Sequence, residues 1–124
     1  MQRVELINET HPFQAPLLAR YCSSFLCRLR GLMFAASIDE GDGLLMVQPT
    51  QDRVNAAIHM FFMNFDLAVV WLDRSLTVVD VQLARRWRPM YTPAQPAMYV
   101  LETHPNRTAD FQIGDRVKLK KCAE

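Results

Sequence analysis

The chain has 124 residues, half of them hydrophobic and 22% charged, with a formal net charge of +1. That length suits one domain over residues 1–124, with enough apolar surface for a single core. The near-balanced charge argues against a dedicated nucleic-acid or anionic-membrane binder, and no apolar run approaches the roughly 20 residues that span a bilayer.

The start, Met1-Gln2-Arg3-Val4-Glu5, is polar and lacks the apolar centre of a signal peptide. A cytoplasmic location is expected. The cysteines, Cys22, Cys27 and Cys122, are odd in number and make a poor disulfide framework. They are expected to be reduced thiols without metal, because the spacing of the first two is too wide for a zinc knuckle and no second pair exists.

In chain order, the first two strands are expected at Arg3–Asn8 and Leu17–Cys22. Glu9-Thr10-His11-Pro12 reads as a turn between them. Ser23 or Ser24 then caps a helix running to about Met33. Phe25, Leu26, Leu29, Leu32 and Met33 form its apolar stripe, with Arg28 and Arg30 at the borders. Glu40-Gly41-Asp42-Gly43 is a turn, and strands follow at Leu44–Gln48, Ala57–Met63 and Leu67–Asp73. Asp73-Arg74-Ser75 makes a hairpin into Leu76–Ala84, where Val79, Val81 and Leu83 alternate with Asp80 and Gln82. The segment Arg85–Pro96 holds prolines at 89, 93 and 96 and reads as an ordered loop. Met98–Glu102 is a strand, Pro105–Phe111 a short helix, and Arg116–Lys120 the last strand after Ile113-Gly114-Asp115. Many short strands with one main helix predict a mainly β (α+β) fold, a compact sandwich or partly closed barrel.

Several side chains stand out chemically. His59 is an imidazole among Met60, Phe61, Phe62 and Met63. It is either a ligand or acid–base group or a buried histidine bonded to backbone or carboxylate. Trp87 with Arg85, Arg86 and Arg88 is either a recognition patch for an anionic or ring-shaped ligand, or an anchor for the proline-rich loop. Glu102 ends an apolar strand; an ion pair with Arg28 or Arg30 is expected, and a polar role in a pocket is the alternative. The methionines read mainly as core filler. No GxGxxG or Gly-x-Ser-x-Gly element is present.

A set of short segments occurs in a distinctive order: Arg28-Leu29-Arg30-Gly31-Leu32-Met33, Gly43-Leu44-Leu45, His59 to Met63, Val70-Trp71-Leu72-Asp73, Trp87-Arg88, Tyr99-Val100-Leu101-Glu102 and Gly114-Asp115. In this the chain resembles the DUF192 (UPF0127) family of uncharacterised small proteins. The resemblance implies a mostly β domain of jelly-roll-like character and carries no known activity. The chain departs from the family pattern at Asp66-Leu67-Ala68, at Ala35, and at Thr103-His104-Pro105-Asn106.

The expected function is a non-enzymatic binding module for a small polar ligand or protein segment. His59, Trp87, Arg88, Glu102 and Arg28 or Arg30 are expected to share one face of the domain. The alternative is an enzyme with His59 as acid or base, and Glu102 and an arginine orienting an anionic substrate. No cofactor and no metal are expected.

Overall fold

The computed structural model describes residues 2–122. Its strands are β1 (Arg3–Asn8), β2 (Leu17–Cys22), β3 (Asp42–Asp52), β4 (Leu67–Leu72), β5 (Val78–Ala84), β6 (Ala97–Thr103) and β7 (Val117–Lys121). One short α-helix, α1 (Phe25–Arg30), lies between β2 and β3, and a 3-10 turn (Pro105–Asp110) precedes β7.

The seven strands form one sheet in the order β5-β4-β6-β3-β2-β1-β7. Only β2 and β3 run parallel, and α1 lies in the connection between them. The other neighbours are antiparallel.

The sheet curls until its outer strands meet at one end. Thr77 bridges to Arg116, the Val78 amide donates to the Asp115 carbonyl at 2.8 Å, and Val117 donates to Leu76 at 3.0 Å. The architecture is therefore mainly β, a curled half-barrel with few short helices.

The alternation of side chains divides the core between the two faces. Val4, Leu6, Leu17, Leu45, Val70, Leu72, Val78, Leu101 and Val117 form one cluster. It joins strands from opposite ends of the sheet order, so it is the interior of the curl. Leu44, Met46, Val69, Trp71 and Val100 point the other way. That outer face is covered by chain outside the strands, through Leu32, Ala56, Ile58, Met60, Met63 and Tyr91. Trp71 satisfies its indole N–H on the Ala56 carbonyl at 2.7 Å, tying the cover to the sheet.

Four sequence expectations need correction. The helix ends at Arg30, and none of its residues is buried. Phe25, Leu26 and Leu29 are exposed, whereas Leu32 is buried beyond the helix end. Gly31, at φ 53°, turns the chain before the stripe can continue.

The expected strand Ala57–Met63 is a clasp between two loops. Ile58 pairs with Tyr91 as an isolated bridge, Met60 donates to the Arg88 carbonyl, and Trp87 donates to the Met60 carbonyl. Phe62 lies at φ 60°, which breaks any strand there.

On β5, Val81 and Leu83 share one face and Asp80 and Gln82 the other, as expected, but Val79 leaves the expected face and packs with Val69 and Trp71. A register shift between Trp71 and Leu72 of β4 interrupts the alternation of the facing β5 residues. Asp80 is buried while Leu83 is 41% exposed. Asp80 accepts hydrogen bonds from the backbone amides of Val81 and Ala94 and from the Gln82 side chain.

Finally, Cys22 and Cys27 are joined as a disulfide, with Cα atoms 5.8 Å apart; Cys122 is free. An odd count and a zinc-like spacing test could not show this. The turn capped by Ser24, which accepts from the Cys27 amide, brings the first turn of α1 back over the end of β2. A cytoplasmic location therefore draws no support from the cysteines.

Candidate functional site

Glu102 lies on β6, opposite Leu44 of β3 and Val69 of β4. It thus projects from the outer face at the middle of a β4-β6-β3 platform, among apolar neighbours. Only 4% of it is exposed, and its Oε1 has no hydrogen-bond partner. Burial pushes its carboxyl up to about 7.

Gly31 lies directly above it. A Cβ at that position would come within 3.3 Å of Glu102 Oε1. The glycine that ends α1 therefore also makes room for the carboxyl.

A cavity of about 290 Å³ opens over this group. Phe25, Arg28, Leu29, Arg30 and Gly31 line one side, and Met46, Gln48 and Pro49 of β3 another. Asn55, Ala57, Ile58, His59 and Met63 complete the wall, with Glu102 among the lining residues.

The expected ion pair is absent: neither Arg28 nor Arg30 forms a salt bridge with Glu102 among the described residues. Arg28 instead donates to the Ser23 carbonyl and, at 3.4 Å, to the Val47 carbonyl. The His59 Nδ1 accepts from the Phe61 amide at 3.3 Å, which leaves Nε2 for another partner.

The cavity thus gathers His59, Glu102, Arg28 and Arg30. Trp87 and Arg88 are not among its lining residues. Trp87 is exposed and meets Phe62 edge-on at 5.3 Å, and Phe62 stacks on Phe34 at 5.2 Å. Arg88 covers the Tyr91 ring at 5.6 Å. Arg85 and Arg86 both face Asp66, at 3.7 and 3.3 Å.

Gln48 and Gly31 join the expected residues in the cavity wall, Gly31 from the Arg28–Met33 run that carries the family resemblance. Gln48 was within reach, because Leu44, Met46 and Gln48 alternate on one face and only the last is polar. Among the described residues, no three His, Cys, Asp or Glu side chains gather as a metal cluster. No helix among them is long and apolar enough to cross a membrane.

The curled seven-stranded sheet, with a buried carboxyl beneath the glycine that ends α1, defines a class of mainly β domains. The family model of DUF192, described as an uncharacterized ACR, matches residues 7–119. A UPF0127 protein of Thermococcus gammatolerans is 41% identical over 114 residues, covering 90% of this chain and 72% of that protein. A UPF0127 protein of Pyrococcus abyssi is 33% identical over 115 residues, covering 91% and 95%. The chain belongs to the DUF192 (UPF0127) family. A Sinorhizobium meliloti protein described as a candidate transcription regulator has a similar fold, with TM-score 0.79 at 19% identity over 95% of this chain and 92% of that one. A Novosphingobium aromaticivorans protein of unknown function matches with TM-score 0.78 at 17% identity, covering 94% and 83%. At these identities the two structures speak for the fold alone.

Proposed function

We propose that the protein is a non-enzymatic binding module and that the cavity over Glu102 receives a small polar ligand. One observation carries this reading: the buried Oε1 of Glu102 has no partner inside the protein. An unpaired buried polar group costs about 1–3 kcal/mol. A ligand donor entering the cavity would recover that cost. A single small molecule suits the volume better than a protein segment, since 290 Å³ lies at the small end of ligand pockets.

The enzymatic alternative places His59 as acid or base beside Glu102. His59 Nδ1 accepts from the Phe61 amide and no hydrogen bond joins His59 to Glu102 among the described residues, so no acid–base pair is assembled, which favours binding.

A fragment screen followed by backbone amide resonances tests the reading. Saturable shifts at Gly31, His59 and Glu102, weakened in Glu102→Gln, are expected. Trp87→Ala should leave them intact. Fragments that instead map to the Phe34–Phe62–Trp87 strip, with none over Glu102, would move the binding site off this cavity.

A further inference from the structure

We propose that the ligand is a small zwitterion of amino-acid type, with its ammonium group on Glu102 and its carboxylate toward Arg30 and His59. This rests on the cavity being the binding site, and it specifies what enters.

The argument starts from charge. The cavity is lined by one carboxyl and two guanidinium groups that do not pair with one another. Arg28 is engaged by the Ser23 and Val47 carbonyls. Arg30 is exposed, and its guanidinium has no hydrogen-bond or carboxylate partner among the described residues. Glu102 is buried with Oε1 unpaired.

Opposite charges held apart across one small space are best met by a ligand of reversed polarity. An ammonium group supplies the hydrogen-bond donors that Oε1 lacks, and a carboxylate suits the planar fork of an arginine. Between those ends Met46, Ile58 and Met63 offer apolar, adaptable walls for a hydrocarbon side chain. A simple anion would leave Glu102 unpaired, and a simple amine would leave Arg30 unused.

The protonation of Glu102 adds direction. Its raised carboxyl is ionised above about 7 and neutral below. An ammonium ligand prefers the ionised form, so affinity should fall as pH drops through that value. The other charged or titratable groups facing the cavity are His59, Arg28 and Arg30.

Three matched probes test the proposal: L-leucine, 3-methylbutylamine, which lacks the carboxylate, and 4-methylpentanoate, which lacks the ammonium. Each is titrated into isotope-labelled full-length protein at about pH 8, with the Gly31 and His59 amides as reporters. L-leucine should bind about tenfold or more tightly than either half-ligand. Glu102→Gln should weaken leucine without weakening 4-methylpentanoate, and Arg30→Ala should weaken leucine without weakening 3-methylbutylamine. In the unmodified protein, leucine affinity should fall roughly tenfold between pH 8 and pH 6. In Glu102→Gln that fall should disappear.

Binding of 4-methylpentanoate as tight as leucine would overturn the zwitterion, as would the absence of leucine binding. In either case, fragments mapped over Glu102 by the screen above would leave the cavity as the binding site. If no fragment maps there either, the cavity reading fails as well.

Discussion

Glu102 concentrates the consequences of one buried carboxyl. Its folded pKa, about 7, lies above the ordinary 4.5, so the folded protein holds the proton more tightly than the unfolded chain. The contribution to stability is therefore greatest at acid pH and is lost as pH rises through 7. The rise from 4.5 to about 7 corresponds to a loss on the order of 3 kcal/mol. Urea unfolding of Glu102→Gln should flatten that fall, with the variant more stable than the unmodified protein at about pH 8. A parallel loss of stability with pH in both proteins would place the titrating group elsewhere. At Gly31 the expected outcome is opposite in sign. Gly31→Ala sets a Cβ 3.3 Å from the carboxyl at a φ of 53°. It should lower stability by about 1 kcal/mol or more and perturb the Glu102 titration in a carboxyl-resolved NMR experiment. The sequence marked His59 and Glu102 because each is a polar residue in an apolar run. It could not place Trp87 and Arg88, because whether a loop residue faces the cavity depends on how two loops clasp. Nor could it show that Arg28 would be taken by backbone carbonyls.

At the scale of single elements, α1 behaves unlike a core helix. Its apolar residues Phe25, Leu26 and Leu29 are exposed, so Leu29→Ala should change the unfolding free energy by only about 0.5 kcal/mol. A loss of 2 kcal/mol or more, as expected for a buried leucine, would show that the helix face is covered. What holds α1 to the sheet is the bond from Cys27 to Cys22 of β2 and the reach of Arg28 to the Val47 carbonyl. Cys27→Ser should raise amide exchange across α1 and Gly31, and closing so short a loop suggests a stability loss of about 2 kcal/mol. Unchanged exchange in that variant would mean the helix is positioned without the bond. β1 and β2 were legible residue for residue, because short alternating runs bounded by turn residues leave few other readings. The stripe of α1 misled, because helical spacing reports which residues share a side and not whether anything covers that side. On β5 a bulge shifted the period, which a strict alternation cannot register.

For the whole molecule, the junction of the outer strands is held by polar groups. Asp115 is 1% exposed and accepts hydrogen bonds from the Asn8 side chain at 2.7 Å and the Gln112 amide at 2.9 Å. His11 Nδ1 lies 2.7 Å from its other oxygen. Burial alone would raise its pKa. The hydrogen bonds from Asn8, Gln112 and His11, with the charge of His11, outweigh burial and hold the carboxyl below its ordinary value. Its stabilisation is therefore present above the ordinary carboxylate range and is lost as pH falls below it. Asp115→Ala should cost about 1–3 kcal/mol through the donors it strands, and hydrogen exchange should rise at Val78 and Val117 before the β3–β6 centre. Uniform exchange across the sheet would deny this junction a separate role. The mainly β class was legible from the many short apolar runs. The curl was not, because it depends on contacts such as Thr77 with Arg116 between segments far apart in the chain.

The ladder that pairs Val4 with Lys121 brings the first strand against the last. During synthesis, β1 can pair with β2 early, but its other edge must wait for nearly the entire chain to emerge. Until then its backbone donors and acceptors stand open beside Leu6, a template for another chain. Closing so long a loop is slow because its entropic cost precedes the contacts that repay it. A nascent chain stalled before Val117 should therefore recruit chaperones or self-associate, whereas release of the last strand should end that interval.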